Sequence, residues 1–143
     1  MTFTFTTPVR FADIDHATIV YFPRFFHMFH LAFEELWEAR LGRGGYARLM
    51  NHDRIGFPAV HASCDFTAPL RFGDMAVIEL AVAQLGARSI TWHYKVYRAG
   101  EHDRTLCADG RVVSASVDLD RFVAIAVPER IVAVLQDLVE PPT

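Results

Sequence analysis

Apolar and polar positions alternate with a period of two at the start of the chain. The apolar positions there are Phe3, Phe5, Val9 and Phe11. Successive side chains of a strand point to opposite faces, so this spacing predicts a strand over 3–11 with one buried face. A loop is predicted over 12–22. Pro23 then suits the first turn of a helix, because the N–H that proline lacks has no partner at that position.

A different period begins after Pro23 and continues to about residue 41. Apolar residues recur there at steps of three and four, at Phe22, Phe25, Phe29, Phe33 and Leu36. His27, Glu34 and Glu38 fall on the opposite side of the helical wheel. This spacing predicts a long amphipathic helix over 24–41. Gly42 follows as a natural left-handed cap.

The second half of the chain consists mainly of strand-like runs. A short helix is predicted over 46–51, and the strands are predicted at 57–68, 74–86, 89–99 and 105–117, separated by turns that contain glycine. A last apolar run at 122–128 precedes a predicted C-terminal helix at 128–139. The order favours an α+β fold with one antiparallel sheet and one main helix. The length of 143 residues predicts a single domain, 1–143.

Composition narrows the classes of function. The chain is 52% hydrophobic and has 12 phenylalanines, which is much apolar surface for one small domain and predicts a homo-oligomer. A net charge of -3 argues against a nucleic-acid partner. No apolar run approaches the roughly 20 residues that span a membrane, so no membrane partner is expected.

The two cysteines and the first residues indicate a compartment. Cys64 and Cys107 lie far apart and form no Cys-x-x-Cys motif, which suits a reducing environment and predicts neither a disulfide framework nor a structural zinc site. The opening residues lack the layout of a signal peptide. A cytoplasmic location is expected.

The stretch "DIDHATIVYFPRFFHMF", 13–29, resembles the hotdog-fold acyl-CoA thioesterases of the 4-hydroxybenzoyl-CoA thioesterase family. Their pattern is D-x-D-x-x-G-x-V-x-[YF] followed by a long helix. The resemblance continues through "PAVHASCDFTAPLRFGD", "GARSITWHYKVYR" and "ASVDLDRFVAIAVP". The family's usual glycine is Thr18 here, and a residue that is typically small or proline is His16. The backbone at Thr18 must therefore tolerate a side chain where glycine is common.

The resemblance implies a fold, an activity and an assembly. The fold is the hotdog fold, an antiparallel sheet wrapped around one long central helix. The activity is hydrolysis of an acyl-CoA to a carboxylic acid and CoA, without a metal or cofactor. The assembly is a homodimer or homotetramer with its active sites at subunit interfaces.

The resemblance maps the family's catalytic carboxylate onto Asp15. This carboxylate can attack the thioester carbonyl or activate water as a general base, and the sequence does not separate the two routes. The backbone N–H of Phe22 is the implied oxyanion donor at the helix start, and Tyr21 and Phe22 are implied to wall the pocket. Without the resemblance, the residues favour a loop or capping acid at Asp15. Asp13 is predicted to hold the loop through backbone hydrogen bonds.

Five further residues are candidates for substrate binding. They are His30, His61, Ser63, Arg88 and Ser89. His30 lies at the border of the helix's apolar face and is predicted to touch the acyl group from the neighbouring subunit; the alternative is a histidine packed in an interface. His61 and Ser63 share a strand face that lines the acyl pocket in relatives, although His61 also suits a core position. Arg88 and Ser89 match a position that holds the nucleotide end of CoA, although many surface arginines bind no ligand.

Other functions stay open at this point. His27, His30 and Glu34 follow one another at i, i+3 and i+7, whereas two-histidine zinc motifs use i, i+4, so the pattern favours a solvated face over a metal site. The aromatic helix suggests a flat acyl group such as benzoyl or hydroxybenzoyl, although aromatic residues at helical spacing usually serve packing. A hotdog dehydratase and a module that binds an acyl thioester without cleaving it are the alternatives.

Overall fold

The computed structural model describes residues 1–142. Its α-helices are α1 (Pro23–Leu41), α2 (Gly45–Asn51) and α3 (Glu129–Leu135), and short 3-10 helices cover Phe11–Asp13 and Gln136–Leu138. Its strands are β1 (Phe3–Pro8), β2 (Ile55–Gly56), β3 (Ala59–Phe66), β4 (Met75–Leu85), β5 (Ser89–Ala99), β6 (Arg104–Ala115), β7 (Val117–Asp118) and β8 (Val123–Ala124).

The five long strands form one antiparallel sheet in the order β1-β4-β5-β6-β3. A second, small sheet has the order β2-β7-β8. The large sheet buries one face against α1, whose inward side chains are Phe25, Met28, Phe29, Ala32, Phe33, Leu36 and Trp37. The predicted antiparallel sheet around one long helix is therefore present.

Gly110 shows how closely α1 approaches the sheet. This residue of β6 lies directly beneath the ring of Phe29, where an added Cβ would stand 2.5 Å from Cε2 of that ring. Phe29 consequently lies flat and stacks on Tyr94 of β5, with 4.6 Å between ring centroids and an interplanar angle of 11°. Glycine at this position permits the helix to sit low on the sheet.

Several predicted boundaries were wrong for identifiable reasons. The first strand ends at Pro8, after which Phe11–Asp13 turn into a 3-10 helix. The strand predicted over 57–68 begins only at Ala59, since Phe57 and Pro58 separate it from the short β2. The run at 122–128 contributes only the two residues of β8, because the rest of it extends without a strand partner among the described residues.

The two helix ends also differ in detail from the prediction. Phe22, assigned to the apolar stripe, is the N-cap of α1 and is 57% exposed. Gly42 has the predicted positive φ, 82°, but its ψ of 168° is extended; the left-handed glycine is Gly44, with φ 73° and ψ 3°. The predicted C-terminal helix ends at Leu135 and continues as a 3-10 turn.

The face of the sheet away from α1 is polar and holds the C-terminal segment. His93 of β5 is buried there between two carboxylates, with Nε2 2.7 Å from Oδ1 of Asp109 and Nδ1 2.9 Å from Oε1 of Glu140. The backbone N–H of Glu140 donates to the carbonyl of Val82, 2.8 Å away. These contacts anchor the end of the chain on β4 and β5. Within the described residues, no helix is both long enough and apolar enough to cross a membrane.

Candidate active site

Asp13 organises the loop that leads into α1. Asp13 is 7% exposed, and its carboxylate accepts three hydrogen bonds. Oδ2 accepts the backbone N–H of Arg10 at 2.9 Å, and Oδ1 accepts Nε and Nη2 of Arg24 at 3.0 and 2.8 Å. The carbonyl of Asp13 accepts the N–H of Tyr21, 2.9 Å away. Asp13 thus holds the loop to the first turn of the helix, which is the structural role predicted for it.

Asp15 has a carboxylate that is free on one side. Oδ1 accepts the backbone N–H of Ala17 at 2.7 Å, and no residue of 1–142 donates a hydrogen bond to Oδ2. The N–H of Asp15 donates to the carbonyl of Ile19 at 3.0 Å, which fixes the backbone. The side chain is exposed in the single chain. The carboxylate of Asp15 is therefore open to solvent in the single chain.

The turn after Asp15 is strained at the position where the resemblance expects glycine. Thr18 has φ 66°, the left-handed region that is costly for a β-branched residue. Its N–H donates to the carbonyl of Asp15 at 2.9 Å, which closes the turn. The chain thus keeps the glycine-like backbone conformation with a threonine in place.

The start of α1 leaves one backbone donor unused. Pro23 has no N–H, Arg24 donates to the carbonyl of Tyr21, and Phe25 donates to that of Phe22. The N–H of Phe22 makes no hydrogen bond with any residue of 1–142. Because helix N-termini carry partial positive charge, this N–H is available to an acceptor that carries negative charge.

Asp15 and Phe22 line the same cleft of about 580 Å³. The other lining residues are Ile19, Val20, Tyr21, Phe25, Phe66, Thr67, Ala68 and Pro69. Aromatic edges close one wall: the rings of Phe22 and Phe66 have centroids 6.1 Å apart, and those of Phe25 and Phe66 are 5.3 Å apart. Asp15, Tyr21 and Phe22 thus lie in one cleft, and their roles in catalysis stay a prediction.

Phe66 and 67–69 were not among the sequence candidates for this cleft. They enter it because the backbone N–H of Thr67 donates to the carbonyl of Cys107, 2.9 Å away, while Val20 donates to that of Leu70. These long-range bonds bring the end of β3 beside the start of α1. An apolar residue, Phe66, near the end of the predicted strand is the one feature of the sequence that indicates a contribution of this segment to the cleft.

His30 lies at a second, mainly apolar cavity of about 510 Å³. The cavity lies between α1 and the β3–β6 edge of the sheet, and its aromatic lining consists of Phe26, Phe29, Phe33, Tyr46, Phe57 and Tyr94. Nε2 of His30 is 3.2 Å from Oε1 of Glu34. The side chain of His30 is 57% exposed and that of Glu34 is 50% exposed. His30 therefore borders an apolar cavity, which is separate from the cleft of Asp15 within one chain, and its contact with an acyl group stays a prediction.

His61 and Ser63 line neither the cleft nor the cavity, contrary to the prediction. Ala62 lines the cavity instead, and Phe66, on the same strand face as Ala62, lines the cleft. His61 pairs with Val113 and Ser63 with Arg111, and these two residues alternate with Val112, which lines the cavity. His61 and Ser63 therefore share a strand face, as their spacing indicates, but it is the face away from α1.

Arg88 and Ser89 lie at the far end of the sheet from Asp15. They stand in the turn between β4 and β5, whereas the Asp15 loop packs beside the start of β4. The eleven residues of β4 span roughly 35 Å at about 3.3 Å per residue. The side chain of Arg88 is exposed and makes no ion pair with the residues of 1–142. Within one chain, Arg88 and Ser89 therefore do not share the cleft of Asp15.

The two thiols are not alternative nucleophiles. Burial raises the pKa of the Cys64 thiol to about 11, and burial also raises the pKa of Cys107. Both remain protonated near neutral pH, and only the thiolate is an effective nucleophile. The carboxylate of Asp15 is therefore the group in the cleft that can attack a carbonyl or take a proton from water.

The family described as the Thioesterase-like superfamily matches residues 9–135. The chain belongs to this superfamily. The match begins just before the Asp15 loop and ends with α3, so it covers the central helix, the cleft and every strand of the large sheet except β1.

Named relatives agree with this assignment. A 1,4-dihydroxy-2-naphthoyl-CoA hydrolase from Nostoc punctiforme is 35% identical over 96 residues, which cover 67% of this chain and 64% of the relative. The crystal structure of a 1,4-dihydroxy-2-naphthoyl-CoA thioesterase from Synechocystis is 28% identical, has a TM-score of 0.83, and covers 99% of this chain and 100% of its own. These relatives are thioester hydrolases, so the predicted enzyme class is confirmed at the level of the family.

A third similarity concerns the fold alone. A 4-hydroxybenzoyl-CoA thioesterase, crystallised with 4-hydroxybenzoyl-CoA, has a TM-score of 0.85 at 20% identity and covers 94% of this chain and 98% of its own. The hotdog fold is therefore confirmed.

Proposed function

We propose that this chain is an acyl-CoA thioesterase that hydrolyses an aromatic acyl-CoA at the cleft of Asp15. The observation that carries the proposal is the presence, in one cleft, of a carboxylate oxygen without a partner and an unused N–H at a helix start. Thioester hydrolysis needs a nucleophile or base and a stabiliser for the oxyanion, and these two groups supply them.

The roles of the two groups follow from their chemistry. The thioester carbonyl oxygen accepts the N–H of Phe22, which stabilises the negative charge that develops on it. The carboxylate of Asp15 either attacks the carbonyl carbon, expelling CoA thiolate and leaving a mixed anhydride that water cleaves, or removes a proton from an attacking water. Both routes give the carboxylic acid and CoA. Among residues 1–142, the lining of the cleft includes no histidine, which the dehydratase alternative requires.

A second copy of the chain completes the site in this proposal. Strand β3 is an edge of the large sheet, and Val60 on it is 64% exposed. An exposed, apolar edge strand is a template for pairing with another chain. Antiparallel pairing of β3 with its copy sets the Ala59 end of one subunit beside the Phe66 end of the other. The cavity of one subunit, with His30, then adjoins the cleft of the other, with Asp15.

The cavity favours an aromatic acyl group. Its lining is dominated by rings, and its volume of about 510 Å³ exceeds the roughly 150 Å³ that accommodates one benzene. Two of the named relatives act on a naphthoyl-CoA, a two-ring thioester. A ring of this size is therefore the substrate class that we propose, and the turn with Arg88 and Ser89 of the second copy is proposed to hold the nucleotide.

The test is release of CoA from a panel of aryl, short and long acyl-CoAs. Turnover of aryl-CoA is expected, and Asp15→Asn should lower it by at least roughly 100-fold while the protein remains folded. Asp103→Asn, which changes an exposed aspartate of the β5–β6 hairpin that lines neither the cleft nor the cavity, is the matched control. Near-normal turnover by folded Asp15→Asn protein would exclude the proposed role. Binding of acyl-CoA without release of CoA would favour the binding-module alternative.

Mixing variants tests the shared site. Asp15→Asn removes the carboxylate, and Ala59→Trp fills the cavity. If the site combines two subunits, co-refolding the two inactive variants should restore about a quarter of the wild-type activity or less, through dimers that contain one intact site. No recovery in a dimer shown to be mixed would place the whole site in one chain. Sedimentation that finds only monomer at micromolar concentration would exclude the assembly itself.

A further inference from the structure

Tyr94 carries a hydroxyl for which the fold supplies no partner. It lies in the middle of β5, it is 2% exposed, and it lines the aromatic cavity. Its hydroxyl makes no hydrogen bond with any residue of 1–142. By contrast, the neighbouring Trp92 donates its Nε1–H to Oγ of Ser114, 3.2 Å away. A hydroxyl that borders a cavity and has no partner in the protein is available to a ligand.

The hydroxyl is a donor at neutral pH. Burial raises the pKa of Tyr94 above its ordinary value, and burial, with the charge of Glu34, raises the pKa of Tyr46 in the same cavity to about 12. Both phenols therefore keep their protons. The ring of Tyr94 is held in place by its stack on Phe29, so the donor has a fixed position.

We propose that Tyr94 is a specificity-determining residue that donates a hydrogen bond to an uncharged oxygen on the ring of the acyl group. The inference rests on the proposed function and identifies the substrate class more closely, as ring-hydroxylated or keto-substituted aryl thioesters. The oxygen is uncharged because the cavity lining within 1–142 contains no lysine or arginine, and the rim residue His30 is occupied by Glu34. A buried carboxylate without a cation is strongly disfavoured.

Tyr94→Phe tests this inference, since it removes one oxygen and retains the ring stacked on Phe29. The substrates are 1-hydroxy-2-naphthoyl-CoA and 2-naphthoyl-CoA, which differ by one hydroxyl. The variant is expected to lose on the order of 10-fold in kcat/KM for the hydroxylated substrate and to change little for the other, as loss of one hydrogen bond predicts. Tyr97→Phe is the matched control, because Tyr97 lies on the same strand but on the opposite face, beneath Arg104.

The comparison of the two substrates separates recognition from structure. An equal loss for both substrates would mean that Tyr94 has only a structural role, and no loss for either would exclude the hydrogen bond. If the wild-type chain cleaves neither thioester, the proposed function fails, and calorimetry with the uncharged methyl esters of 1-hydroxy-2-naphthoic and 2-naphthoic acids then decides about Tyr94. In Tyr94→Phe, the affinity for the hydroxylated ligand should fall on the order of 10-fold relative to the affinity for the ligand without the hydroxyl. An unchanged ratio would overturn the inference.

Discussion

Replacement of Gly110 by alanine is the substitution whose effect the packing defines most closely. The added Cβ would lie 2.5 Å from Cε2 and 2.7 Å from Cζ of Phe29, and 3.1 Å from the carbonyl oxygen of Ser63. Carbon atoms prefer separations of about 3.5–4.0 Å, so the ring must move by about 1 Å. It has little room, because it stacks on Tyr94 and meets Phe26 edge to face at 5.6 Å.

The free energy of unfolding should fall by about 1–2 kcal/mol. Overpacking of a core costs about 1–3 kcal/mol, and alanine recovers about 0.4–1 kcal/mol because it restricts the unfolded chain more than glycine does. The displaced ring of Phe29 also narrows the aromatic cavity. Turnover of two-ring substrates should therefore fall more than turnover of one-ring substrates.

Urea denaturation at one fixed protein concentration measures the change, since an oligomer's stability depends on concentration. The control is the same substitution in a Phe29→Leu background, because leucine lacks the two ring atoms that the new Cβ would strike. Gly110→Ala should cost much less in that background, with a coupling energy of at least about 1 kcal/mol. Equal costs in both backgrounds, or no loss of stability in Gly110→Ala alone, would refute the packing argument.

Four other substitutions have expected outcomes. Asp13→Asn should lower the free energy of unfolding by about 1–2 kcal/mol, measured by urea denaturation, because Arg24 loses its charged acceptor while staying partly solvated. Thr18→Gly should raise it by up to about 1 kcal/mol by relieving the positive φ, whereas Thr18→Ala, which keeps a Cβ, should not. His30→Ala should change the ranking of acyl-CoA substrates by about 1–3 kcal/mol, and a uniform loss across the panel would exclude a specificity role. The hydrogen bond from Arg40 lowers the pKa of Asp137, so its stabilisation is present at neutral pH and disappears as the pH falls below its ordinary pKa of about 4. Asp137→Asn should therefore be less stable than wild type by under about 1 kcal/mol at pH 7 and equally stable near roughly pH 2; a constant difference would contradict this.

The local pattern of residues in the sequence predicted the secondary-structure elements and located the stretch around Asp15 and Pro23. The three- and four-residue spacing of phenylalanines predicted α1 almost to its ends and identified Phe25, Phe29 and Phe33 as buried. Pro23 at the first turn and Asp15 before it located the helix start that the cleft uses. These features depend on neighbours within a few residues, and such neighbours are visible in a sequence.

The positions of other candidates depended on contacts far along the chain. His61 and Ser63 had the right spacing for one strand face, but the register of β3 against β6 decided which face. Both faces of β3 are largely exposed in the single chain, so its alternation of residue types carried no information about the interior. The separation of Arg88 from Asp15 likewise follows from the length of β4 and from the order of strands, neither of which a motif records.

The sequence by itself determined the α+β fold class and the central helix, because hydrophobic period and turn chemistry act locally, and the family resemblance mapped the candidate carboxylate onto Asp15. Only the tertiary structure decided which groups share a cavity. Tyr94 reads in the sequence as one more apolar position of a buried strand, and Gly110 as one glycine in another. Tyr94 and Gly110 matter because Phe29 of α1, more than 60 residues away in the chain, packs against both of them. Helix α2 also brings Tyr46 to the cavity that Tyr94 lines. Packing at that distance depends on the shapes of all the intervening elements together, which no short stretch of sequence contains.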